Sequence, residues 1–166
     1  WPVQLELALS NTCNLQCTMC TGTLSSAIRS GREGLLPLPV VYDDAFFEDL
    51  RPFLANVERI SLLGGEPLLA RETWRVIAIL DELDRRPRLQ LTTNGTIWND
   101  RVSDLLSRFP TDVVVSIDAV DHEVMRTIRV GVDPERVLAN LRRFHALAPR
   151  SGGSLAIAHC LMAENS

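Results

Sequence analysis

Apolar and polar residues alternate first over residues 3–9, in the order Val-Gln-Leu-Glu-Leu-Ala-Leu, which is the period of a strand with one buried face. Residues 21–39 are rich in Ser, Gly, Arg and Pro without a clear period, so a partly helical, partly irregular excursion follows. Phe46, Phe47, Leu50, Phe53 and Leu54 then recur at helical spacing and predict a helix over 42–54, with Asp43 or Asp44 as its cap and Pro52 distorting its last turn. The run 59–63 reads as a second strand. Trp74, Ile77, Ala78, Leu80 and Leu83 predict a helix over 71–83, and 89–93 a third strand. A helix over 99–108 presents Val102, Leu105, Leu106 and Phe109. The continuous Val113-Val114-Val115 predicts a strand over 112–117 buried on both faces. Helices over 122–129 and 134–148 follow, the second opened by Asp133-Pro134, and 154–162 reads as a fifth apolar strand.

Strand and helix alternate with no tight hairpin between strands, so the expected fold class is α/β, a parallel sheet built from βα repeats joined by crossovers. Each strand ends in a polar or glycine-bearing group: a cysteine loop, Gly64-Gly65-Glu66-Pro67, Thr92-Thr93-Asn94-Gly95, Ser116-Ile117-Asp118, and Glu164-Asn165 after the last. Such groups are ordinary turn residues one at a time. In parallel folds, however, sites form at the carboxyl ends of strands, so these groups converge on one rim.

The first group carries the most chemistry. Cys13, Cys17 and Cys20 form a C-x3-C-x2-C run, three soft ligands with the fourth position of a metal left open. The residues alone are compatible with an iron–sulfur cluster or with a structural zinc completed by Cys160 or a histidine. The spacing is a poor staple pattern, so reduced thiols are expected. His145, His159 and Cys160 read as structural, Cys160 as a buried, inert strand residue.

Composition narrows the partners. The 166-residue chain has a net charge of −4, and all 17 basic residues are scattered arginines, so nucleic acid and acidic membrane are disfavoured as partners. A peptide or a small-molecule substrate is the easier partner. No apolar run spans a membrane and no charged-then-apolar leader is visible, so a cytoplasmic location is expected.

Taken together, the cysteine loop on the first strand, Gly64 to Pro67 on the second, Thr92 to Gly95 on the third and Ser116 to Asp118 on the fourth resemble the radical S-adenosylmethionine (SAM) superfamily over nearly the whole chain, and most of all its branch with SPASM or twitch extensions. The resemblance implies a partial TIM-type barrel. Residues 1–166 would be its core with about five strands, lacking the sixth βα unit and any carboxyl-terminal SPASM or twitch module.

It also implies an activity. Cys13, Cys17 and Cys20 would ligate a [4Fe-4S] cluster whose fourth iron takes SAM, and reductive cleavage of SAM would yield a 5′-deoxyadenosyl radical that abstracts hydrogen from a substrate. An electron donor such as flavodoxin or ferredoxin is implied as a partner. Gly64, Gly65, Glu66 and Pro67 would meet the SAM amino group, with the Glu66 carboxylate and the glycine carbonyls as acceptors. Thr93 and Asn94 would line the SAM pocket, and Ser116 with Asp118 would reach the ribose or carboxylate. Arg129, placed in the helix after the fourth strand, resembles an arginine that meets the SAM carboxylate; a solvated helix arginine is its plainer reading, and Arg71 is similarly ambiguous. Met19 stands where the family usually has an aromatic residue near the adenine. The sequence nominates no residue as a general acid or base. The rivals are a zinc-stabilised α/β binding module and a cluster-binding scaffold without catalysis.

Overall fold

The computed structural model describes residues 1–166. In chain order the elements are β1 (Gln4–Leu7), β2 (Gln16–Cys17), α1 (Ser26–Gly31), α2 (Asp44–Asn56), β3 (Arg59–Leu62), α3 (Arg71–Glu82), β4 (Arg88–Thr93), α4 (Asp100–Arg108), β5 (Thr111–Ser116), α5 (His122–Ile128), β6 (Arg129–Val130), α6 (Pro134–Leu147) and β7 (Ser154–Ala158). Five strands form one sheet in the order β1-β3-β4-β5-β7, every pair parallel, as the alternation of strands and helices implies. All the helices but α3, which follows Ala70, begin where a short polar side chain can accept from the first free amides. Asp43 accepts from Phe46 N, Asn99 from Val102 N, Asp121 from Glu123 N and Val124 N, and Asp133 from Arg136 N.

The sheet has two unlike faces, because residues in register on parallel strands point the same way and alternate along each strand. Leu7, Leu62, Leu91 and Val113 share one row, and with Ile60, Leu89 and Val115 they pack against the helical layer of Phe47, Leu54, Ile77, Leu80, Leu105 and Phe144. On the other face Glu6, Ser61, Gln90 and Asp112 share a row, followed by Thr92 beside Val114 and then by Ser116. The expectation that β5 is buried on both faces therefore fails: Val113 and Val115 are buried, whereas Val114 is half-buried on a face lined by polar and small groups.

Three other expectations change. β7 stops at Ala158 and is an edge strand, because Cys160 N turns aside to donate to Asp118 Oδ1 at 2.9 Å; Cys160 is consequently exposed rather than buried. Helix α2 runs through Pro52 to Asn56, whose side-chain amide caps the Pro52 carbonyl at 2.8 Å. Arg129 is not inside α5 but caps it, its N–H donating to Met125 O while its backbone turns out of the helix. It pairs in a two-residue antiparallel ladder with β2, Cys17 opposite Arg129 and Gln16 opposite Val130, a contact too short to leave a periodic signature in the sequence. No helix is long and apolar enough to cross a membrane.

Candidate metal and cofactor site

The cysteine loop leaves β1 and runs beside the end of β3. Gly65 N donates to Ser10 O at 2.9 Å and Glu66 N to Thr12 O at 2.7 Å, so the two segments continue the sheet pairing past the strands. This contact needs glycine. Gly64 has a φ of +117°, and a Cβ on Gly65 would run into the carbonyl oxygens of Thr12 and Asn11. Leu15, fully buried, plugs the loop into the core, and Ser25 Oγ donates to its carbonyl at 2.7 Å. Ser26 Oγ bridges Cys13, accepting from its N–H and donating to its carbonyl, both at 3.1 Å. Arg32 holds the Gln16 carbonyl at 3.2 Å.

Cys17 is buried, while Cys13 and Cys20 are half-buried at the rim. Burial pushes the Cys17 thiol up to about 11, with Arg129 pulling the other way, and raises Cys20 by the same cause. Each of two sulfurs has a nitrogen beside it: Asn94 Nδ2 lies 3.8 Å from Cys13 Sγ, and Arg129 Nη1 lies 3.8 Å from Cys17 Sγ. The guanidinium is itself held by Asp118, with Nε 2.7 Å from Oδ2. At that distance the two atoms make an ion pair, but the N–H is not aimed along the line between them, so no hydrogen bond forms. Arg129 is therefore no solvated helix arginine. No three His, Cys, Asp or Glu side chains close on a single-ion position.

The rim motifs come together, but several side chains do other work than the sequence implied. Glu66 is fully buried and spends both oxygens on the chain. Oε1 accepts from Thr93 Oγ1 at 2.8 Å and Leu68 N at 3.2 Å, and Oε2 from Asn94 N at 2.7 Å. Burial raises its pKa against those three donors. It is thus a staple between two rim loops, and the acceptors open to a ligand at this motif are backbone: the Gly64 and Gly65 carbonyls accept nothing from the chain.

Pro67 is buried below them. Thr93 turns to the helical side with Leu91 and is committed to Glu66, and Asn94 Oδ1 accepts from Thr96 N at 2.9 Å. Both side chains are thus engaged within the chain, and of the two Asn94 also faces Cys13 Sγ. Asp118 is likewise fully buried, held by Arg129 and Cys160 N, and does not reach outward to a ribose. Ser116 remains half-exposed on the polar face, and Met19 is exposed at the loop tip, free to pack on a ligand. Arg71 is exposed at the start of α3, in the wall of a cleft of about 800 Å³ that also reaches Cys13 and Gly65. His159 Nδ1 lies 3.2 Å from the Ile117 carbonyl, a structural role.

Sequence reasoning missed Gln90 and took Thr92 only as part of its motif, whereas both share the polar face with Ser116. Strand parity carries that signal: with Leu89 and Leu91 facing the helices, Thr93 joins them, and Gln90 and Thr92 face away. It also missed Asn14, whose side chain holds Asn94 and Thr96 at 3.0 Å, and for that contact the sequence offers no signal.

A parallel sheet with helices packed on one face, a polar opposite face and three thiols on the loop that follows its first strand has the form of a partial barrel with its chemistry gathered at one rim. The fold agrees with solved structures: Streptococcus suis SuiB bound to S-adenosylmethionine superposes with a TM-score of 0.67 at 20% identity, over 99% of this chain and 36% of that one. Native anSMEcpe with bound AdoMet gives 0.66 at 21%, over 93% of this chain and 43% of that one. Both proteins have also been solved with peptides, SuiB with the precursor peptide SuiA and anSMEcpe with Cp18Cys.

The sequence matches the Radical SAM superfamily over residues 7–158, and the chain belongs to that family, whose enzymes use a [4Fe-4S] cluster and SAM. Among its relatives is the GTP 3′,8-cyclase of Staphylococcus carnosus, 28% identical over 126 residues, covering 75% of this chain and 36% of that protein. The chain thus spans about a third of the length of that curated relative.

Proposed function

We propose that this chain is the cluster- and SAM-binding core of a radical SAM enzyme, with Cys13, Cys17 and Cys20 as the three cluster ligands. The donor chemistry fits: three thiols on one loop, an amide and a guanidinium beside two of the sulfurs, and a glycine cradle with free carbonyls next to them. The single observation that carries the reading is the backbone pairing of the cysteine loop with Gly64 to Glu66, which sets those carbonyls beside Cys13. A [4Fe-4S] cluster held there by the three cysteines would supply the electron for reductive cleavage of SAM to methionine and a 5′-deoxyadenosyl radical, which would take hydrogen from a substrate.

The chain's own residues bind and orient. The Gly64 and Gly65 carbonyls accept from the SAM ammonium, and Pro67 keeps that segment extended. Met19 packs on the adenine, and Ser116 meets the ribose. Glu66, Thr93, Asn94 and Asp118 act from behind, holding the loops that make these contacts. An electron donor such as flavodoxin or ferredoxin serves the cluster.

The substrate reading we favour is a peptide, supported by the peptides bound to SuiB and anSMEcpe and by the hydrogen-bonding side chains of Gln90, Thr92 and Ser116 on the polar face of the sheet. The GTP 3′,8-cyclase relatives favour a purine nucleotide as the second reading. We further propose a sixth βα unit and a SPASM or twitch module in the whole protein, in keeping with the 36% of SuiB that this chain covers.

Anaerobically reconstituted full-length protein, given dithionite and SAM, is expected to release 5′-deoxyadenosine, and the Cys13/Cys17/Cys20→Ala triple variant none. Equal release from the two, or none from the wild type with its cluster in place, would overturn the reading.

A further inference from the structure

We propose that Arg129 is a built-in counter-charge to the cluster thiolate at Cys17, with Asp118 setting how much of that charge the sulfur feels. The inference rests on the cluster reading above. Its basis is the short ladder between β2 and β6, which places Cys17 opposite Arg129; Thr18 N donates to Ile128 O at 2.8 Å and extends the clasp by one residue. The guanidinium that this clasp positions has Nη1 3.8 Å from Cys17 Sγ and Nε 2.7 Å from Asp118 Oδ2. Only 11% of the Arg129 side chain and none of Asp118 is exposed, so both neighbours feel the charge with little solvent screening.

Asp118 is itself fixed, its Oδ1 accepting from Cys160 N at 2.9 Å and its carbonyl from Asn165 Nδ2 at 2.8 Å. The three sulfurs are consequently unequal. Cys17 faces a cation at 3.8 Å, Cys13 faces the uncharged amide of Asn94, and Cys20 has neither within hydrogen-bond reach and feels the Arg129 charge only at longer range. A positive charge beside a thiolate favours the more negative, reduced cluster, so Arg129 raises the potential and Asp118 offsets part of that rise.

The test is the midpoint potential of the SAM-free cluster in reconstituted full-length protein, followed by electron paramagnetic resonance. Arg129→Gln should shift it to more negative values, Asp118→Asn to more positive ones, and Arg129→Lys should stay near the wild type. An unmoved potential in Arg129→Gln at wild-type iron and sulfide content overturns the proposal. So does a shift of Arg129→Gln and Asp118→Asn in the same direction, the mark of a merely loosened loop.

If Arg129→Gln cannot hold the cluster, the sign of the Asp118→Asn shift decides alone. Weakened SAM binding in Arg129→Gln with an unchanged potential would assign the arginine to SAM and overturn the counter-charge. A wild type that takes up no iron and sulfide overturns the cluster reading and this proposal together, whereas a loaded wild type with unmoved variants overturns the proposal only.

Discussion

Two arginine–aspartate pairs sit at opposite ends of β5, alike in chemistry and unlike in burial. At the amino end Arg88 Nη1 lies 3.0 Å from both carboxylate oxygens of Asp112, Ser154 Oγ donates to the same group at 2.7 Å, and Arg88 Nη2 donates to Gly152 O at 3.1 Å. These contacts tie β4, β5 and β7 together, and the two charged side chains are 40% and 32% exposed. At the carboxyl end Arg129 and Asp118 are 11% and 0% exposed, and the arginine also faces a sulfur. Water screens the first pair, so it works as a clip with little energy at stake. The second pair is held out of water by the cysteine loop on one side and residues 160–165 on the other, so losing either partner strands a charge.

The largest expected effect tests that contrast. Asp118→Ala leaves the Arg129 guanidinium buried and unpaired and should destabilise the cluster-free protein by about 3–5 kcal/mol in denaturant titration. A loss no larger than that of Arg88→Met would abolish the distinction between the pairs. Glu66→Ala comes next, because it deprives Thr93 Oγ1, Asn94 N and Leu68 N of their acceptor inside the protein; roughly 2–4 kcal/mol is expected from stranded donors.

Glu66 also has a pH signature. Its pKa in the folded protein is raised by burial, so its contribution to stability is fully present below the ordinary carboxylate pKa and is lost as pH rises through the raised value. The stability of the wild type relative to Glu66→Gln should therefore fall as pH climbs from the carboxylate range, and a flat difference would count against the buried staple.

The sequence carried the sheet but not this pairing. Alternation at Val3 to Leu9 and the apolar positions Val102, Leu105, Leu106 and Phe109 reported the local burial that makes strands and helices, and the four fully buried α4-side residues match the helix as read. The rim groups were legible as a set because each follows a strand. Their orientations were less so. Thr93 and Glu66 carry the right chemistry for a ligand, yet parity turns the first toward the helices and three nearby donors draw the second inward. Arg129 was misplaced because the helical pattern of 122–129 runs into it, and only a contact with a residue 112 positions away pulls it out. Local periodicity holds no information about such a pairing.

Smaller effects sharpen the comparison further. Gly65→Ala drives a Cβ into the Thr12 and Asn11 carbonyls and should cost about 1–3 kcal/mol while lowering retained iron, since the cradle and the cysteine loop must part. An Ala variant with wild-type stability and iron content would refute the close approach. Arg88→Met should cost less than about 1 kcal/mol, and that loss should shrink further in high salt.

Asp112 supplies the matching pH test. Burial pushes its carboxyl up, but the Ser154 hydroxyl and Arg88 together outweigh that and hold it below the usual carboxylate value. Its contribution is therefore present above the ordinary carboxylate pKa and is lost as pH falls through the lowered one. Asp112→Asn should remove this acid-side loss, in the direction opposite to that of Glu66→Gln.

The central claim is that Cys13, Cys17 and Cys20 hold a cluster with one position left for SAM. Its most direct test is the iron and sulfide content of the anaerobically reconstituted full-length protein, read with the electron paramagnetic resonance spectrum of the reduced sample before and after SAM. The account predicts iron and sulfide in the proportion of one [4Fe-4S] cluster, lost in the triple alanine variant, and a spectrum that changes when SAM is added. A colourless protein carrying a single zinc, or a cluster retained without the three cysteines, would contradict it.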